Sequence, residues 1–270
     1  MKPHLIVLDL DGTLLTDEKV ISEKTKQTLK KAEEHGHHIM IATGRPYRAS
    51  EVYYRQLGLR TPIVNFNGAF VHHPTDPSWK TIHEPISLPV VTDVVDAMQQ
   101  YSFHNIVAEV MDDVYMHYHD EKLLDIFGFG DPMIKQGDIR QFLKENPTSL
   151  LIQADAEHVD PIRRHLGEVH AEAIDHRRWG APWHVIEIVR HGLNKAVGIS
   201  HVSKWMDIPT ERIIAFGDED NDLEMIDYAG VGVAMGNAID RLKSIANEVT
   251  VTNNEDGIAL VLEERLHLNK

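Results

Sequence analysis

The chain predicts an α/β fold: a parallel sheet with helices on both faces, interrupted once by an inserted α+β unit. Two observations carry this expectation. Short apolar runs of strand length alternate with helical stretches over residues 5–71 and again from 193 onward, the rhythm of a parallel sheet with right-handed crossovers. Between about 84 and 190 that rhythm gives way to hairpins mixed with helices, as in a separate unit of domain size. The expected division is residues 1–83 with 191–270 as the core, and 84–190 as the insertion.

Leu5-Ile6-Val7-Leu8 opens the core as an apolar run, broken by Asp9 and Asp11 and followed by Gly12-Thr13. A strand buried on both faces reads as continuous Leu/Ile/Val, so these acids are costly unless something compensates them. Like charges that close raise one another's pKa unless a cation sits between them. A hard divalent metal is the natural cation, since one or two carboxylates plus phosphate is the usual Mg2+ arrangement. Acids that merely cap the next turn are the plainer alternative.

Ser22 suits the N-cap of a helix over 23–35, with Gly36 as its stop. His38 to Ala42 reads as a second strand ending in Thr43-Gly44-Arg45-Pro46, and Pro46 fits the first turn of a helix to about Leu57. A hydroxyl and a glycine between strand and helix N-terminus have the form of an anion site, because the first helical amides lack internal partners. Capping explains such a turn equally well by itself. Residues 62–71 read as a strand, a tight turn at Asn67-Gly68 and a return strand, and 72–79 as loop.

Within the insertion the pattern predicts helices over 90–101, 121–127, 139–145 and 158–166. Strands are expected at 105–110, 114–118, 149–153, 169–174 and 184–189, with a Gly/Pro/Asp-rich break after 127. A helix over 194–206 then carries Lys195 in its first turn, and the strand 213–217 ends in Asp218-Glu219-Asp220-Asn221-Asp222. A helix to 228, a strand at 231–235, a helix to 245, a strand at 249–251 and a helix over 257–266 complete the chain.

Composition narrows the function classes. Apolar content of 42% and charged content of 26% are those of a globular protein. Acids outnumber bases 42 to 27, a formal charge of −15 with no Lys/Arg block, which argues against a nucleic-acid or anionic-membrane surface. The chain has no cysteine, so it has neither disulfides nor thiolate chemistry, in keeping with a reducing cytoplasm. No signal-peptide pattern and no apolar run of spanning length are seen, and a soluble intracellular protein is expected. The 18 histidines are scattered and form no HExxH motif, so zinc is not expected.

Three strand ends therefore carry polar groups: Asp9 with Asp11, Thr43, and Asp218 to Asp222. In an open parallel sheet these ends share one edge, which is where ligands bind. Acids, a hydroxyl, an ammonium and turn glycines together make a site for a phosphate plus Mg2+. An acidic helix start favoured by the macrodipole accounts for one or two residues of 218–222, but not for five polar residues in a row.

At these residues the sequence resembles the haloacid-dehalogenase superfamily of phosphohydrolases, in its Cof-like branch with a C2-type (C2B) cap. Asp9-Leu10-Asp11-Gly12-Thr13 matches the first motif, Thr43-Gly44-Arg45 the second, Lys195 the third, and Gly217-Asp218 with Asn221-Asp222 the fourth. The resemblance spans nearly the whole chain. It implies a Rossmann-like core and a cytoplasmic Mg2+-dependent phosphatase, monomeric or a small homo-oligomer, acting on sugar phosphates or phosphorylated cofactors. Asp9 would be the nucleophile and Asp11 the acid and then the base. Mg2+ would be held by the Asp9 and Asp218 carboxylates and the Asp11 main-chain carbonyl. Thr43, Lys195, Asn221 and the amides of Leu10 and Gly44 would hold phosphoryl oxygens, while Asp222 orients Lys195 or a metal-bound water.

Glu219 and Asp220 are read as exposed. The cap would close over the site and carry specificity. Tyr115, His117, Trp183 and His184 within it, and Arg45 and Asn67 near the core edge, are candidate contacts for which packing, capping or turn roles are the default. Two other readings compete: a phosphomutase of the same fold, and a non-enzymatic phospho-acceptor switch of the receiver type.

Overall fold

The computed structural model describes residues 2–178 and 184–268. The chain separates into two compact units. One comprises Met1–Gly44, Glu51–Thr81 and Asn194–Lys270, the other Arg45–Ser50 and Ile82–Leu193.

The first unit begins with β1 (Leu5–Leu8), α1 (Glu23–Glu34) and β2 (His38–Ile41), then α2 (Glu51–Gln56) and the hairpin β3 (Ile63–Asn65) and β4 (Phe70–His72). Every residue of β1 is fully buried, as its uninterrupted apolar run requires of a central parallel strand. Ser22 caps α1 by accepting a hydrogen bond from the Thr25 amide at 3.1 Å. The helix expected from Pro46 is broken: a 3-10 turn covers Tyr47–Ala49 before α2 starts. The Ser50 hydroxyl donates to the carbonyls of Pro46 and Tyr47 at 3.0 and 3.1 Å, a local bond that competes with helix continuation.

The second unit holds β5 (Ile82–His83), α3 (Leu88–Met98), β6 (Asn105–Val110), β7 (Asp113–Met116), α4 (Glu121–Phe127), β8 (Ile134–Gln136) and α5 (Ile139–Phe142). It continues with β9 (Ser149–Gln153), α6 (Ala156–Val169), β10 (Ile174–Arg178) and β11 (Val185–Arg190). Among the described residues its main sheet runs β10-β11-β9-β6-β7-β8. Val91, Val94, Val95 and Met98 of α3, with Val159, Ile162 and Leu166 of α6, cover one face of it. Leu123 and Phe127 of α4 pack with Val107, Val114, Met116 and Leu151.

Two expectations need correction in this unit. Residues 169–174 are not a strand, because α6 runs to Val169 and β10 starts only at Ile174. The stripe Val159, Ile162, Leu166 has helical spacing and outweighs the β preference of Val169, which is exposed. The Gly/Pro/Asp-rich break also contains a strand, β8, which pairs in parallel with β7 at the sheet edge.

The first unit resumes with α7 (Lys195–Trp205), β12 (Ile213–Gly217), α8 (Leu223–Tyr228), β13 (Val231–Ala234), α9 (Asp240–Ile245), β14 (Glu248–Val249) and α10 (Gly257–Arg265). Its sheet has the order β14-β13-β12-β1-β2, all neighbours parallel, and a bridge from Ala42 to Val64 brings β3 alongside. This is the expected α/β core with an α+β unit inserted in it. Leu8 is in register with Ile41 on one side and Phe216 on the other. Asp9, Thr43 and Asp218 therefore leave the sheet at nearly the same level.

Candidate active site

Asp9 leaves β1 with its amide still donating to Phe216 O at 3.2 Å, and its carbonyl accepts from the Leu14 amide at 3.2 Å. The tight turn between them depends on Gly12. Its φ is +76°, and a Cβ there would lie 2.2 Å from Asp218 Oδ2, closer than any side chain permits. Across that gap the Thr13 hydroxyl donates to Asp218 Oδ1 at 2.7 Å.

Lys195 is fully buried, and its ammonium donates to Asp9 Oδ1 and to Asp222 Oδ1, both at 2.6 Å. The second oxygen of Asp222 accepts from the amides of Asp218 and Glu219 at 2.9 and 3.1 Å. Asp9, Asp218 and Asp222 each place a carboxylate oxygen within 4.8 Å of the others. Burial pushes the Asp9 carboxyl well above the usual range; Lys195 opposes this, while Asp222 and Asp218 add to it. Asp218 is raised to about 7 by burial and then by Asp222, against the hydrogen bond from Thr13. Burial alone would lower the Lys195 pKa, but Asp222 and Asp9 together raise it. Lys195 therefore stays an ammonium.

Thr43 and Gly44 lie at the neighbouring strand end. The Thr43 amide donates to Val64 O at 2.9 Å, and its carbonyl accepts from the Asn67 amide at 3.1 Å. Asn221 Nδ2 donates to Asn67 Oδ1 at 3.0 Å, and a Cβ on Gly44 would lie 3.2 Å from the Asn67 side chain. Asn67 thus joins Thr43, Gly44 and Asn221. Sequence reasoning named it as a candidate contact near the core edge with a turn role as the default, the Asn-Gly pair at a strand end being the signal. Leu10 is buried within the turn after Asp9.

The Asp11 carboxylate is not brought into this group. It is half-exposed and accepts from Lys19 Nζ at 2.8 Å, a partner that sequence reasoning did not single out. Glu219 and Asp220 are exposed, as expected. Tyr115 belongs to the apolar core of the second unit, and His117 Nδ1 accepts from the Ile139 amide at 3.4 Å, so both have packing roles. The carbonyl of His184 accepts from the Ala154 amide, and Arg45 donates to Ala49 O at 3.0 Å. Trp183 lies outside the described residues.

Buried carboxylates around one ammonium, at the carboxyl edge of a parallel sheet and beside a Thr-Gly turn, define a phosphohydrolase core. The haloacid dehalogenase-like hydrolase family matches residues 6–262, and the chain belongs to it, as a phosphatase. It is 58% identical over 267 residues to the 5-amino-6-(5-phospho-D-ribitylamino)uracil phosphatase YitU of Bacillus subtilis (strain 168), covering 99% of each chain. It is 30% identical to the pyridoxal phosphate phosphatase YbhA of Escherichia coli (strain K12), covering 98% of this chain and all of that one. A haloacid dehalogenase-like hydrolase from Bacteroides thetaiotaomicron superposes with a TM-score of 0.84 at 29% identity, over 97% of this chain and 99% of the other.

Proposed function

We propose that this protein is a cytoplasmic, Mg2+-dependent phosphatase that hydrolyses a small phosphorylated metabolite through an aspartyl phosphate on Asp9. The observation that carries this is the convergence of Asp9, Asp218 and Asp222 on one point with Lys195 between two of them. The donor set fits a magnesium ion. It is all oxygen and buried, and burial, reinforced by the neighbouring carboxylates, holds Asp9 and Asp218 above their usual range.

Asp9 and Asp218, with the Asp11 main-chain carbonyl, would hold the ion. Asp222 has both oxygens engaged and is left to orient Lys195. The ion supplies screening of the negative charge on phosphate and nucleophile. Asp9 attacks phosphorus in line, displacing the alcohol and forming the acyl phosphate. Asp11 gives a proton to the departing oxygen and then takes one from the water that cleaves the intermediate. That role calls for the Asp11 carboxylate to turn from Lys19 toward the leaving group. Lys195, Thr43, Asn221 and the amides of Leu10 and Gly44 hold the phosphoryl oxygens.

Selection among metabolites is assigned to the inserted unit, residues 84–190 as expected from sequence. By likeness to the 58% identical relative, 5-amino-6-(5-phospho-D-ribitylamino)uracil is the first substrate to test, ahead of pyridoxal phosphate and sugar phosphates.

The test is phosphate release over that panel with Mg2+ and with EDTA, beside Asp9→Asn. The parent should release phosphate with Mg2+ and lose this in EDTA; Asp9→Asn should be inactive with an unchanged thermal midpoint. Release by Asp9→Asn at the parent rate would remove the nucleophile assignment. Free phosphate in solution, in place of an isomerised phosphate ester, also separates hydrolysis from mutase chemistry.

A further inference from the structure

A further strand end, that of β13, reaches the candidate site within the first unit. In the loop after it, the Met235 amide donates to Gly217 O at 3.0 Å and the Ile239 amide to Asp218 O at 2.9 Å. This loop therefore backs the main chain where Asp218 leaves β12. Between those two contacts the exposed side chain of Asn237 reaches the other acid-bearing turn. Its Nδ2 donates to Gly12 O at 2.8 Å, and its Oδ1 accepts from the Asn253 amide at 3.0 Å.

Gly12 needs restraint from outside, because a glycine at φ +76° gives the turn little stiffness of its own. On one side the Asp218 carboxylate fills the place of a Gly12 side chain, its Oδ2 lying 2.2 Å from where a Cβ would be. Asn237 holds the carbonyl. The residue before Gly12 is Asp11, whose carbonyl is assigned to Mg2+, and the residue after it is Thr13, whose hydroxyl donates to Asp218 Oδ1 at 2.7 Å. A displaced Gly12 thus moves the Asp11 carbonyl and the Asp218 carboxylate relative to one another. Stability does not explain the contact, since water competes for hydrogen bonds made by an exposed side chain and leaves little net gain. What it achieves is orientation, and groups that orient metal ligands govern metal affinity.

We infer that Asn237 is a positioning residue for the cation: by holding Gly12 it fixes the Asp11 carbonyl against the Asp218 carboxylate. This rests on the reading of those two groups as Mg2+ ligands.

A neighbouring contact supplies the control. The Asp17 amide donates to Asn254 Oδ1 at 3.0 Å, and Asn254 Nδ2 donates to Asp17 Oδ2 at 2.9 Å. Asn237→Ala and Asn254→Ala therefore each remove two hydrogen bonds of an exposed side chain, but only the first touches Gly12. The test uses the full chain with Mg2+ as the probe. Binding is read without substrate from the rise in thermal midpoint over a Mg2+ series, and with p-nitrophenyl phosphate from the Mg2+ concentration giving half-maximal release. Asn237→Ala should raise the Mg2+ constant about tenfold in both readings, the scale of losing an outer partner of a metal ligand. Its kcat should return close to the parent value at saturating Mg2+. Asn254→Ala should keep the parent's Mg2+ constant. A parent-like Mg2+ constant in Asn237→Ala overturns the proposal alone. So does an equal rise in both variants, which would mean a general loosening of residues 11–17. A parent that gains neither stability nor activity from Mg2+ removes the metal reading and the proposal with it. Where the parent does not turn the ester over, the thermal series decides.

Discussion

Lys195 is the residue on which the site's electrostatics turn. With its ammonium 2.6 Å from both Asp9 and Asp222, it is what allows two carboxylates to be buried side by side. Lys195→Met would leave them facing each other unpaired. The expected outcome is a loss of about 3–5 kcal/mol of unfolding free energy, measured by denaturant titration, together with weakened phosphate binding. Wild-type stability in that variant would mean that the acids are already protonated in the parent. The first motif was legible as costly acids on a buried strand, and Lys195 as a first-turn lysine assigned through resemblance. Its pairing with Asp222 was expected through the same resemblance, but that Lys195 also reaches Asp9 was not legible, because helix phase says nothing about a partner 186 residues away. Nor was the diversion of Asp11 to Lys19, which depends on a turn where Lys19 itself has φ +59°.

Helix α7 delivers Lys195, and its seat is the turn at Phe66–Gly68. Asn194 caps the helix by accepting from the Val197 amide at 3.1 Å, and the Asn194 carbonyl rests where a Gly68 side chain would be. A Cβ there would come within 2.3 Å of that oxygen, at a φ of +104°. Gly68→Ala should therefore push the N-terminus of α7 outward. The expected cost is about 1–3 kcal/mol in stability, with a fall in kcat/KM larger than that of an alanine placed at exposed Gly36, read by parallel kinetics and melting. Equal kinetic effects at both positions would show that the seat does not matter to the site. Most first-unit elements were readable because each apolar run of strand length is bounded by a cap or a glycine. The misreadings lie where local preference and packing disagree: Val169 at the end of an amphipathic helix, β8 in a loop-like composition, and the helix split at Ser50.

For the molecule as a whole, acid stability provides a sign that can be checked. Burial, reinforced by neighbouring histidines, lowers His37 and His72 from 6.5 to about 4. The unfolded chain then binds more protons than the folded one between those values, so their contribution is complete above 6.5 and is lost as pH falls toward 4. Asp9 and Asp218, raised by burial, act in the opposite sense over part of this range. The measurement is therefore the difference in thermal midpoint between the parent and His37→Asn, whose amide oxygen can still accept from the His4 amide that now donates to His37 Nδ1 at 3.1 Å. The parent's advantage should shrink as pH falls from 6.5 to 4. A difference independent of pH would show that His37 titrates normally in the folded protein.

By itself the sequence determined most strands and helices in their order, the presence of an inserted α+β stretch, and polar groups at three strand ends, because each of these is written in short-range periodicity and capping chemistry. Tertiary structure alone decided which groups meet. It set Lys195 against Asp9, turned the Asp11 carboxylate to Lys19, drew Asn67 to Asn221, and gave residues 45–50 to the second unit. Strand order, parallel register and close packing bring such distant residues together, and none of these leaves a local trace in the chain.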